Sequence, residues 1–129
     1  MNLTIDMMLN LRKNGFTFNE FENDCDPGMV FYYNDCEYSI GGKWDGTPCS
    51  VLDQAIANNG VWLPDESDLM LWLQWKCNYN VVIKYVASER YFYGTAEGDE
   101  GKIFKGSGPD LLCCLYKLVL KICKNNQLS

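Results

Sequence analysis

Trp62-Leu63-Pro64-Asp65-Glu66-Ser67-Asp68-Leu69-Met70-Leu71-Trp72-Leu73 decides the fold of this chain. A proline precedes an aspartate suited to an N-cap, and a second aspartate follows three positions later. Asp65 is placed to accept from the backbone N–H near Asp68 while Asp68 reaches back, an acidic variant of the capping box. Asp65, Glu66 and Asp68 also lie against the positive end of the helix dipole. The spacing predicts a helix over 65–77 with Leu69, Trp72 and Leu73 on one face, and Trp75 falls off that face. A well-started amphipathic helix is a device for building a core, and nothing in it amounts to a reaction mechanism.

The flanking segments read as further elements. Residues 4–14 predict a helix with Ile5, Met8, Leu9 and Leu11 turned inward and Arg12 and Lys13 in its last turn, where cations suit the dipole. Gly15 is the left-handed terminator, and Phe16 returns to the core. Phe16, Phe18 and Phe21 alternate with polar residues, the pattern of a short strand. Residues 29–33 and 36–40 flank Asn34-Asp35 as a hairpin. Thr47-Pro48 opens a helix over 48–59 whose apolar stripe is Val51, Leu52, Ala55 and Ile56. Residues 80–87, 91–95 and 102–105 predict three strands of an antiparallel meander. A last helix over 109–124 carries Leu111, Leu112, Leu115, Leu118, Val119 and Ile122, with Asp110, Lys117, Lys121 and Lys124 on one narrow solvent stripe. The expected architecture is one α+β domain over 1–129, an antiparallel sheet of about 3–5 strands packed against four helices.

Composition limits the functions available. The 129 residues are 47% hydrophobic and 14% aromatic, values of a folded globule. A formal net charge of −6 argues against an open nucleic-acid-binding surface and against adsorption to anionic lipid. The N-terminal residues lack a basic region followed by a long apolar run. Together with an odd count of seven cysteines, this reads as a chain of a reducing cytosol whose thiols stay free. The longest apolar block, 111–120, is interrupted by Lys117 and falls short of the ~20 residues of a membrane span. The charge is unevenly placed. Residues 14–75 hold eleven acids and one base, Lys43, a net of −10, whereas residues 76–129 hold eight bases and five acids, a net of +3.

Candidate chemistry is sparse. The absence of histidine removes Ser-His and Cys-His nucleophile pairs and histidine general bases. The cysteines at 25, 36, 49, 77, 113, 114 and 123 never form the close pairs of a zinc site, and most read as small buried apolar side chains. Asp24, Asp26 and Asp35 have the outline of a calcium loop, but Met29 stands where such a loop requires glycine. Gly41-Gly42-Lys43 has the wrong spacing for a phosphate loop. No metal, cofactor or catalytic residue is predicted.

The order Leu11-Arg12-Lys13-Asn14-Gly15-Phe16, then the tyrosine-rich Phe31-Tyr32-Tyr33, then Trp62 to Leu73, then tyrosine-rich strands and a closing helix, resembles a group of small phage and prophage proteins. The resemblance covers most of the chain, and Trp62 to Leu73 is its most specific part. It implies an α+β sandwich and carries no activity. The insertion over 41–59 and the cysteine load depart from the group.

The expected function is therefore non-catalytic: an accessory protein of the bacterial cytoplasm that binds a basic host protein through its acidic half, as a regulatory or anti-defence inhibitor. Glu20, Glu22, Asp24, Asp26, Asp35, Glu37, Trp44 and Trp75 are the partner-binding candidates. A small-molecule or nucleotide-sequestering protein is the alternative, with Trp and Tyr stacking on a base and Lys84, Arg90, Lys102 and Lys105 as candidate phosphate contacts. The oligomeric state is open, a homodimer included.

Overall fold

The computed structural model describes residues 1–18, 27–41 and 50–128, with side chains through Asn126. The α+β architecture is as the sequence predicts, with the strands divided between two antiparallel sheets. The elements are α1 (Ile5–Lys13), β1 (Val30–Tyr33), β2 (Cys36–Ser39), α2 (Val51–Asn59), β3 (Val61–Trp62), α3 (Glu66–Leu71), β4 (Asn80–Val86), β5 (Tyr91–Glu97), β6 (Ile103–Gly108) and α4 (Leu111–Leu128). The first sheet runs β2-β1-β3 and the second β4-β5-β6. Among the described residues no helix is long and apolar enough to cross a membrane.

The capping box forms as read. The Asp68 amide donates to Asp65 Oδ1 at 2.9 Å, and the Asp65 amide donates to Asp68 Oδ2 at 2.9 Å. Leu69, Trp72 and Leu73 are buried. The α-helix stops at Leu71, however, and Trp72–Lys76 continue as a π-helical turn in which the Cys77 amide reaches Trp72 O at 3.0 Å. The wider turn seats Trp72 against Phe16, ring centroids 5.1 Å apart, with its indole N–H on Thr17 O at 3.0 Å. At the other end of the same segment, Trp62 pairs with Phe31 in the first sheet and packs 5.8 Å from the Phe18 ring. Phe16 and Phe18 are thus both buried, but their segment is aromatic wedging and not the strand their alternation predicts. Phe21 lies outside the described residues.

Two further expectations are corrected, and one strand is added. Leu9 faces solvent, because Met8 and Leu11 already fill the inner stripe of α1. On α2, Ile56 and Ala57 are buried while Val51 and Leu52 are exposed, Val51 by 85%. That helix is capped by the Ser50 hydroxyl, which accepts from the Asp53 amide, and its docking against β1 turns Ile56 and Ala57 inward. Thr47 and Pro48 lie outside the described residues. Finally, β3 went unpredicted: two residues long, it is held by Phe31↔Trp62 and Tyr32↔Val61 pairing and gives no periodicity to read.

The final helix is the spine, running past the expected end at 124. Leu112, Cys114, Leu115, Leu118, Val119, Ile122 and Cys123 are buried, and Tyr116 accepts from Asn10 Nδ2 at 2.8 Å to join α1. It approaches the second sheet closely because Gly94 and Gly106, paired across β5 and β6, offer no side chain there. A Cβ on Gly106 would stand 2.9 Å from Cys114 O and 3.1 Å from Leu118 N, both main-chain atoms. A Cβ on Gly94 would meet only side-chain ends, Cys114 Sγ and Ile83 Cδ1 at 2.9 Å and Leu118 Cδ1 at 3.0 Å.

Gly106→Ala is therefore expected to destabilise the protein by about 1–3 kcal/mol, more than Gly94→Ala, measured by urea unfolding. Equal costs at the two positions would contradict close main-chain packing at Gly106. The cap yields a pH test. Burial, followed by the neighbouring Asp65, pushes the Asp68 carboxyl from 3.8 to about 6, against backbone hydrogen bonding that lowers it. The folded state then holds this proton more tightly than the unfolded chain. That contribution is complete below the unfolded value and is lost as pH rises through about 6. Asp68→Asn keeps an oxygen for the Asp65 amide and removes the titration. Wild type should gain stability relative to this variant as pH falls from about 7 to about 4; a constant difference would refute the assignment.

Candidate functional site

Two surfaces carry the charged side chains that could meet a partner. The first is the β1–β2 hairpin. Asn34 (φ 49°) and Asp35 (φ 62°) both adopt the left-handed backbone, the pair a two-residue turn of the primed type requires. Asp35 is exposed at this turn, and every residue of β2, Glu37 included, is exposed. Tyr38 packs edge-on against Tyr33 at 6.2 Å. Partial burial, and then the adjacent Asp35 carboxylate, raise the Tyr32 phenol.

Three other acids of the N-terminal half do local work. Asp65 and Asp68 hold the helix start, and Glu66 pairs with the N-terminal ammonium at 2.9 Å, which raises that amine. Of the eight predicted site residues, the structure places Asp35 and Glu37 together on the hairpin. Trp75 is 66% exposed on the π-helical turn, a different element. Glu20, Glu22, Asp24, Asp26 and Trp44 lie outside the described residues.

The second surface belongs to β4-β5-β6. One face is covered by α4, and the other presents Val82, Lys84, Tyr93, Ile103 and Lys105 to solvent. Lys84 stands across from Tyr93 and Lys105 across from Thr95. Where β6 meets α4 the surface folds into a cavity of about 440 Å³ lined by Tyr93, Gly94, Thr95, Lys105, Gly106, Ser107, Lys117 and Lys121. Of the four cations singled out in the sequence, Lys105 lies here, whereas Lys102 lines a smaller recess of about 150 Å³ beside Asp99 and Glu100. Arg90 occupies a left-handed turn position, φ 51°. Lys117 and Lys121 went unrecognised. Their spacing of four marked them as a solvent stripe, and only the docking of α4 on β6 brings Lys105 beside them.

Most of the described thiols fit a packing role. Cys114 and Cys123 are buried, Cys77 and Cys113 half-buried, and Cys36 exposed. Cys114 donates to Gly106 O at 3.5 Å, and burial raises its thiol. Burial pushes the Cys77 thiol up to about 11 against the lowering influence of Lys76, and the Cys123 thiol up to about 12 with Cys77 adding to it. Cys25 and Cys49 lie outside the described residues. Among those described, no group of three or more Cys, Asp or Glu side chains is arranged to hold a metal ion.

Comparison with protein-family models, with curated proteins and with solved structures returns no match to this chain.

Brief iodoacetamide labelling of the native protein at neutral pH, followed by peptide mapping, should modify Cys36 well before Cys77, Cys114 or Cys123. Early labelling of Cys77 or Cys123 would contradict their protonated, packed state.

Proposed function

We propose that this protein is a non-catalytic, phage- or prophage-type accessory protein that works in the bacterial cytoplasm by docking an acidic, tyrosine-bearing surface onto a basic surface of a host protein, as a regulatory or anti-defence inhibitor. The observation that carries the reading is the hairpin: Asp35 at its turn and Glu37 and Tyr38 on a wholly exposed β2 face solvent, and residues 27–41 contain no lysine or arginine. Carboxylates beside a tyrosine ring suit a cationic partner. The charges steer the encounter, and the ring supplies contact area at small entropic cost. Trp75, exposed on the π-helical turn, is a second aromatic anchor for such a contact. The sequence contributes the remaining carboxylates at 20, 22, 24 and 26, within a stretch whose sole base over 14–75 is Lys43. The resemblance to phage proteins supports the setting.

A second reading, binding of a small phosphorylated molecule, is favoured by the lysine-lined cavity beside β6.

The docking reading is tested by affinity capture from bacterial lysate with the wild-type protein and with a variant carrying Glu20→Gln, Glu22→Gln, Asp24→Asn, Asp26→Asn, Asp35→Asn and Glu37→Gln. Circular dichroism checks that the variant folds. Wild type is expected to retain one or a few basic proteins that elute with rising salt and that the neutralised variant fails to retain. The same proteins retained by both would overturn it.

A further inference from the structure

We infer that the cavity between β6 and α4 is a binding site for a nucleoside phosphate, with its phosphates at the lysine end and its base against Tyr93. The inference stands independently of the acidic hairpin, since it uses other residues on the second sheet.

Three lysines from two elements line this cavity. Lys105 comes from β6, and Lys117 and Lys121 lie one turn apart on α4. Among the described residues no carboxylate lines the wall, and none of the three lysines forms an ion pair. Gathering like charges without a counter-charge is unfavourable, and an anionic ligand relieves that repulsion. In a chain with seventeen acids and eleven bases, an acid-free concavity bearing three lysines is a local reversal of the molecule's charge.

The main chain adds a donor. The order β4-β5-β6 leaves β6 at an edge, and the Lys121 ammonium donates to Lys105 O. That carbonyl therefore turns away from β5. In an antiparallel ladder the amide of the same residue turns to the same side, so the Lys105 N–H also faces the open edge.

Tyr93 gives the site direction. Its hydroxyl donates to Glu89 Oε1 at 2.7 Å and its ring packs 5.6 Å from Tyr91, so the ring is held in place. The Glu89 carboxylate repels phosphate from that end and leaves the aromatic face for a base. A cavity of about 440 Å³ lies within the usual range of about 300–1,000 Å³ for small-ligand sites.

Lysines at an edge also discourage strand pairing with other chains, and calorimetry separates that role from ligand binding. The probes are ADP, GDP, CDP, UDP and pyrophosphate in buffer of physiological salt. The variants are Lys117→Gln, Lys117→Gln with Lys121→Gln, and Tyr93→Ala, each checked for folding by circular dichroism. At least one nucleoside diphosphate should bind in the micromolar range. The double lysine variant should weaken both it and pyrophosphate about tenfold or more, with Lys117→Gln alone giving part of that loss. Tyr93→Ala should weaken the nucleotide and leave pyrophosphate unchanged. No binding of any probe at millimolar concentration, or affinities unaltered by the lysine variants, would overturn the site. Nucleotide affinity no greater than that of pyrophosphate, with Tyr93→Ala neutral, would overturn its nucleoside character.

Discussion

Burial of two indoles at opposite ends of one continuous segment holds this molecule together. Trp62 belongs to the first sheet, through β3, and meets Phe31 and Phe18. Trp72 belongs to the helical layer that feeds β4, and meets Phe16 and Thr17. Leu63, Pro64 and Leu69 are buried between them, and the reciprocal Asp65–Asp68 cap fixes the direction in which the helix leaves β3. The Leu3 amide on Pro64 O at 2.9 Å and the Leu63 amide on Val30 O at 2.8 Å tie the N-terminus and the first sheet to the same segment. Truncating a buried tryptophan in a protein core costs about 3–5 kcal/mol, against a typical total stability of about 5–15 kcal/mol. Each indole is therefore a substantial share of what keeps the two sheets in one core.

Charge follows this division. The first sheet carries an acidic hairpin, and the second carries exposed lysines on its open face and at its edge. Not every carboxylate of the acidic half is available to a partner. Asp65 and Asp68 cap a helix and Glu66 holds the N-terminal ammonium, so these side chains serve the fold. Asp35, at the left-handed turn, and Glu37, on the exposed β2, face solvent instead. The acidic hairpin and the lysine-lined cavity therefore belong to different sheets.

Much of this was legible in the chain before any coordinates. The capping residues, the Leu69-Trp72-Leu73 face, the departure of Trp75 from that face, the Asn34-Asp35 turn and the three-strand meander are local features, set by spacing and turn chemistry that act over a few residues. What escaped reading depended on partners distant in sequence. Val51 and Leu52 are as apolar as Ile56, and only the position of α2 on β1 selects which of them is covered. The alternation of Phe16 and Phe18 serves two tryptophans more than forty residues away and not a strand ladder. The cavity beside β6 was invisible for the same reason. Lys105 and Lys121 are sixteen residues apart, and they meet because Gly94 and Gly106 let α4 settle onto the sheet.

The central claim is that the segment from Trp62 to Leu73 makes the two sheets one cooperative unit. Native-state hydrogen exchange across a urea series tests it most directly. The slowest amides of β1 and β3 should converge on the same opening free energy and urea dependence as those of β5, β6 and α4. Opening of the first sheet at distinctly lower energy, with β5, β6 and α4 still protected, would contradict it.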